Sequence, residues 1–147
     1  GSTALTLIRG FNTGQKHCTG IAYVSESKQV IVSSKSYTVL NKKHIQGLVR
    51  SFNESSGDIL WEVELSGSTC CYDNSGHILV SQAECNNHGY WQSAKIVCLS
   101  VEGRQLWEYA GVSALWEMDW LSQSECLVLH DDSQVVGTQV KIATCTQ

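Results

Sequence analysis

The chain has 147 residues, 42% of them apolar and 16% charged, with a formal net charge of −4, so it has the size and the apolar content for one domain with a real core. No run of Lys or Arg exceeds the pair Lys42-Lys43, which argues against a polyanion partner such as nucleic acid. No apolar run approaches a membrane-spanning length and no charged-then-apolar leader opens the chain, so no membrane partner is expected, and residues 1–2 (Gly1-Ser2) read as a cloning scar.

Proline is absent, and the apolar residues fall in short runs rich in Val, Ile, Leu, Tyr and Trp. In chain order these are Leu5 to Ile8, Ile21 to Val24, Val30 to Val32, Ile59 to Leu65, Ile78 to Val80, Ile96 to Leu99 and Cys126 to Leu129. They have strand lengths, and no window carries a helical stripe for more than two turns, so the expected class is all-β. Between the runs lie "SESKQ", "NESSGD", "DNSGH", "VEGRQ" and "SQSE", clusters whose Gly, Asn, Asp and Ser close hairpins. Consecutive strands are therefore expected to pair antiparallel.

The chain repeats itself. "GIAYVSESKQVIVSS" (Gly20 to Ser34), "TCCYDNSGHILVSQ" (Thr69 to Gln82) and "EMDWLSQSECLVLHD" (Glu117 to Asp131) share a strand, a polar turn and a second strand, with Val32, Val80 and Val128 spaced 48 apart. Between them "LVRSFNESSGDILWEVEL" (Leu48 to Leu65) matches "IVCLSVEGRQLWEYAG" (Ile96 to Gly111), each a hairpin centred on Gly57 or Gly103 and ending in a strand with Trp61 or Trp107. Four antiparallel strands per period describe a β-propeller blade, and blades bury their faces only against one another. Trp61 and Trp107 are then inter-blade core, with Glu62 and Glu108 pointing outward.

The third repeat ends at "QVKIATCTQ" (Gln139 to Gln147) without a Leu-Trp-Glu strand, while "ALTLIRGF" (Ala4 to Phe11) stands unpaired before the first. The expectation is a partial β-propeller of three four-stranded antiparallel blades, repeats 20–65, 69–111 and 114–147, with strand 4–11 completing the last blade. Since propellers typically run from about four to eight blades, the ring is completed either by a second copy, giving a six-bladed homodimer, or within a larger propeller. The β-trefoil is the alternative fold of suitable length.

"GHILVSQAECNNHGYWQSAKIVCLSVEGRQL" (Gly76 to Leu106) resembles an NHL-type repeat, and the "SGDILW" and "EGRQLW" hairpins are similar to those of quinoprotein-like and WD-repeat blades. "WEMDWLSQSECLVLHDDS" (Trp116 to Ser133) leans toward the WD-repeat form. The Asp that ends the NHL strand is Gln82 or Lys35 here, and the WD dipeptide is missing at each hairpin. The resemblance implies a recognition module: NHL propellers of tripartite-motif proteins mostly bind protein partners and some bind RNA, and WD-repeat propellers are protein-binding scaffolds.

The seven cysteines are Cys18, Cys70, Cys71, Cys85, Cys98, Cys126 and Cys145. An odd count at irregular spacing is no disulfide framework and points to a reducing, cytoplasmic compartment. Cys71, Cys98 and Cys126 sit in apolar runs as small core residues, and in a strand Cys70 and Cys71 point to opposite faces and pack. The sequon Asn53-Glu54-Ser55 is discounted on the same compartment argument. "CNNH" (Cys85 to His88) offers half a zinc site with no second pair to complete it, and the acidic group Glu125, Asp131 and Asp132 reads as a solvated turn. With no phosphate loop, nucleophile elbow or metalloprotease helix, neither a cofactor nor an enzymatic activity is expected.

Function is expected on the loops between second and third strands, "SSKSYTVLNKKHIQG" (Ser33 to Gly47), "SQAECNNHGYWQSA" (Ser81 to Ala94) and "HDDSQVVGTQ" (His130 to Gln139). Tyr90 and Trp91 offer large rigid contact area, with His88, Tyr37 and His44 as rim candidates. The expected function is non-enzymatic recognition of a protein or peptide. Alternatives are a self-assembly domain of a larger protein, or a propeller that binds carbohydrate or RNA.

Overall fold

The computed structural model describes residues 4–38, 43–85, 91–110, 115–122, 125–131 and 138–144, and the side chains of 4–38, 43–82 and 95–110. The strands are β1 (Cys18–Val24), β2 (Gln29–Ser34), β3 (Tyr37–Thr38), β4 (His44–Ile45), β5 (Leu48–Asn53), β6 (Ile59–Glu64) and β7 (Gly67–Tyr72). They continue as β8 (His77–Cys85), β9 (Trp91–Ser100), β10 (Gln105–Tyr109), β11 (Leu115–Ser122), β12 (Glu125–Asp131) and β13 (Thr138–Thr144). Two four-stranded antiparallel sheets, β1-β2-β5-β6 and β7-β8-β9-β10, are followed by a three-stranded one, β11-β12-β13. A small hairpin, β3-β4, interrupts the first sheet's middle connection.

The turns form where their residues allow them. At the β5–β6 hairpin, Asn53 Oδ1 accepts from the amides of Ser55 and Ser56, and Gly57 takes φ +74° where a side chain would be strained. Forty-six residues on, the β9–β10 hairpin repeats the device: Ser100 Oγ accepts from the amides of Glu102 and Arg104, and Gly103 takes φ +84°. The β7–β8 turn is organised by Asp73, whose Oδ1 accepts from the Ser75 and His77 amides at 2.7 and 3.0 Å.

Strand alternation then sorts side chains between two faces. One face of the first sheet presents Ala22, Val24, Ile31, Val49, Trp61 and Val63 to Cys70, Tyr72, Ile78, Val80, Val97 and Leu99 of the second. This face-to-face layer is the core. Cys70 lies in it, while its neighbour Cys71 is buried in register with Leu79 on the opposite face. The third sheet packs onto the second through β11 against β7 and β8.

Polar groups inside the layer are matched. Gln29 Oε1 accepts from Ser51 Oγ at 2.6 Å and from Trp61 Nε1 at 3.2 Å, while its amide donates to Ser27 Oγ. Removing one donor leaves a buried acceptor only partly served, so Ser51→Ala is expected to cost about 1 kcal/mol in urea unfolding. Hydroxyl pairs recur at equivalent places, Thr19 with Ser33 at 3.1 Å and Ser68 with Ser81 at 2.7 Å. Thr19 Oγ1 also donates to the carbonyl of Gly67, tying the first sheet to the second.

Two expectations need correction. Residues 4–11 form no strand within this chain and do not complete the third sheet; instead Phe11 stacks on Phe52 of the first sheet, ring centroids 5.1 Å apart. The reason is placement: the third sheet is docked on the second, whereas the N-terminal segment is tied to the other face of the first. The presumed long loop 81–94 is largely strand, because β8 and β9 keep pairing out to Glu84 with Gln92 and Cys85 with Trp91.

Candidate functional site

The β2–β5 connection and the two-residue β6–β7 link meet at one end of the first two sheets. Ser36 donates its amide to Ser66 Oγ at 2.9 Å and accepts the Gly47 amide on its own hydroxyl at 2.7 Å. Ser34 Oγ accepts the Leu48 amide, and Leu65 donates to the Gly47 carbonyl. A side chain on Gly47 would put its Cβ 2.6 Å from the Ser34 carbonyl and 2.7 Å from Ser66 Cα, so three backbones pass here at a distance only glycine permits. The hairpin above this base is therefore held by short bonds rather than by its own length.

On that hairpin Tyr37 pairs with Ile45 and Thr38 with His44. Tyr37 is half-buried, His44 is exposed, and the exposed His17 brings its ring to 4.1 Å from that of Tyr37 at 55°. His17 sits in the left-handed region at φ 52°, and its carbonyl accepts the Lys35 amide at 3.2 Å. Exposed Lys16 and Lys43 adjoin His17 and His44 in the chain. The braced platform thus presents the tilted His17–Tyr37 ring pair, with exposed His44 at the neighbouring register position of the hairpin.

Of the residues expected from the sequence to form a site, Tyr37 and His44 lie on this hairpin in neighbouring register pairs, which strand alternation turns to opposite faces. Trp91 begins β9 opposite Cys85, and its side chain lies outside the described residues, as do Tyr90 and His88. His17 was missed. The only local signal was its place just before an apolar strand, and nothing in the spacing ties residue 17 to residue 37.

Elsewhere, burial pushes the Tyr72 hydroxyl up, partly offset by the amide it accepts from Gly76, so it remains a donor to Glu26 at 3.1 Å. Tyr23 is likewise raised, chiefly by its bond to Glu54. Among the described residues no group of three or more His, Cys, Asp or Glu side chains is placed to hold a metal ion, and no described helix is long and apolar enough to cross a membrane.

Sequential antiparallel meanders stacked face to face define the chain as an all-β, propeller-like assembly of sheets. Among solved structures it resembles BamB from Moraxella catarrhalis, a β-propeller, with a TM-score of 0.53 and 17% identity. The likeness covers 77% of this chain and 31% of that one, so the chain spans about a third of BamB's length. The similarity is one of fold, and it favours the propeller over the trefoil. No family model matches the chain, and no curated protein matches it.

Proposed function

We propose that the chain is a non-enzymatic recognition module that binds a protein or peptide partner through the loop end bearing His17, Tyr37 and His44. The observation that supports this most is the braced hairpin: Tyr37, which is no part of the inter-sheet core, is held within 4.1 Å of an exposed histidine on a base of serine hydrogen bonds. An ordered aromatic loses little conformational freedom on binding, which is why tyrosine serves so well in contact surfaces. Lys16 and Lys43, exposed and next in the chain to His17 and His44, favour an acidic peptide. The NHL- or WD-type character and a cytoplasmic setting belong to the same reading, which the exposed thiol of Cys18 suits.

Selection of a displayed random-peptide library on the folded chain tests the proposal. Enriched peptides are expected to be acidic, to bind more weakly as salt rises, and to lose about tenfold or more in affinity on the Tyr37→Ala/His44→Ala double variant. Peptides that bind the double variant equally well would place recognition elsewhere.

A further inference from the structure

His17 reaches Tyr37 from a segment that apolar packing does not hold. Along residues 12–18, Asn12, Gly14, Lys16, His17 and Cys18 are exposed, and Thr13 and Gln15 are half-buried. The segment is shaped by its own side chains: Asn12 Oδ1 accepts the Gly14 amide at 2.8 Å, and Thr13 Oγ1 accepts the Gln15 amide at 3.2 Å. Gly14 takes φ +71°, and an added Cβ there would meet Arg50 Nη1 at 2.8 Å. A short polar strap of this kind gains little from burial, so its place is set by the bonds it makes to the sheet.

Two side chains make those bonds. Gln15 Nε2 donates to the Val32 carbonyl of β2 and to the Leu48 carbonyl of β5, both at 3.0 Å, with Ser34 Oγ at 3.4 Å. It does so where the β2–β5 register ends, at the pair of Ser33 with Val49. Ser34 Oγ also receives the Leu48 amide, a bond of the base that braces the hairpin, so strap and hairpin are fastened to the same two strand ends. Gln15 Oε1 is buried with no hydrogen-bond partner among the described residues, so the donor end alone holds this side chain. Arg50, on β5, donates through Nη1 to the Thr13 carbonyl at 2.7 Å, while its Nε is bound to Glu62 at 2.8 Å. From these fixed points the chain runs two residues past Gln15 to His17, whose carbonyl accepts the Lys35 amide at 3.2 Å.

We infer that Gln15 and Arg50 are positioning residues for the His17–Tyr37 pair, and that recognition at this loop end is regulated by docking of the strap, residues 12–17. The regulation rests on reading that end as the peptide site. With the strap docked, the two rings stand 4.1 Å apart. With it released, His17 leaves the platform, whereas the hairpin pairs Tyr37–Ile45 and Thr38–His44 keep their own brace from Ser36, Gly47 and Ser66. A site complete for only a fraction of the time binds with an affinity reduced by that fraction, so docking scales recognition without changing the contact surface. The coupling is reciprocal: a peptide that contacts His17 holds the strap down.

Gln15→Glu tests this, because it keeps the shape of the side chain and puts an oxygen where the amide faced two carbonyls. In proton NMR of the full chain, a through-space contact between the His17 and Tyr37 rings is expected in the wild type. It is expected to be lost in Gln15→Glu and in Arg50→Ala, while the amide signals of β9 and β10, which none of these bonds reaches, stay in place. Arg9→Ala, which removes the exposed pair with Glu54 at 3.5 Å, is expected to keep the ring contact. Acidic peptides selected on the wild-type chain are expected to bind Gln15→Glu about tenfold more weakly. A ring contact that survives Gln15→Glu overturns the positioning role. A lost contact with unchanged peptide affinity overturns the regulation and leaves the positioning role standing. Selection that yields no peptide removes the recognition reading and the regulation with it, and the ring contact, read without peptide, then decides the positioning role alone.

Discussion

Replacing Trp61 with alanine is expected to destabilise the chain by about 3 kcal/mol, read as a lower urea midpoint at unchanged slope. The indole is half-buried on the outer strand of the first sheet and lies on the β9–β10 turn of the second, with Gly103 directly beneath the ring. Its Nε1 donates to the Val101 carbonyl at 2.9 Å across the sheet boundary and to Gln29 Oε1 at 3.2 Å within its own sheet. Truncation removes ring contact and leaves both acceptors short of a donor, and the partial exposure of the ring keeps the cost toward the lower end for a tryptophan. Trp61→Phe separates the two contributions. It keeps most of the packing and loses the donor, so about 1 kcal/mol is expected.

Gly20→Val is expected to be at least as damaging, about 3 kcal/mol or loss of folding altogether. A Cβ at this position would lie 2.8 Å from the Cys70 amide nitrogen, 2.8 Å from Ser33 Oγ and 3.1 Å from Thr69 Cα. The obstacle is largely the backbone of β7, which cannot rotate away as a side chain could. Relief requires β1 and β7 to separate, which opens the layer containing Val24, Cys70 and Val80 and strains the bond from Thr19 Oγ1 to the Gly67 carbonyl. Gly10→Ala is the matched control: nothing lies within 4 Å of the added Cβ, and a change within about 0.5 kcal/mol is expected. Thermal and urea unfolding of both variants check the contrast, and equal stability of the two would contradict the close approach of β1 and β7.

Both predictions concern the same boundary between the first and second sheets, and the sequence showed one of them in advance. The repeated tryptophan, its spacing after Gly57 and Gly103, and the alternation of Glu62 outward all followed from local pattern, since a strand's side chains alternate whatever it packs on. The opposed burial of Cys70 and Cys71 followed in the same way. Gly20 gave no such sign. Its constraint comes from Thr69 and Cys70, about fifty residues away, and a lone glycine at the head of an apolar run looks like any other.

The candidate site divides likewise. Tyr37 and His44 stood out as loop residues of contact-forming type, yet their placement on a short hairpin, and the approach of His17 to Tyr37, depend on Ser66 and Gly47 bracing the base from two different connections.

By itself the sequence determined the all-β class, the strand lengths, the turn positions and the period of the repeat, because each is set by residues adjacent in the chain: alternation within a strand, and Gly, Asn, Asp and Ser where the backbone must reverse. Tertiary structure alone decided which faces are covered. The segment ending at Phe11 lies over Phe52 and Gly57 instead of joining β13, because apolar burial is non-directional and is settled by which surface the fold brings within reach.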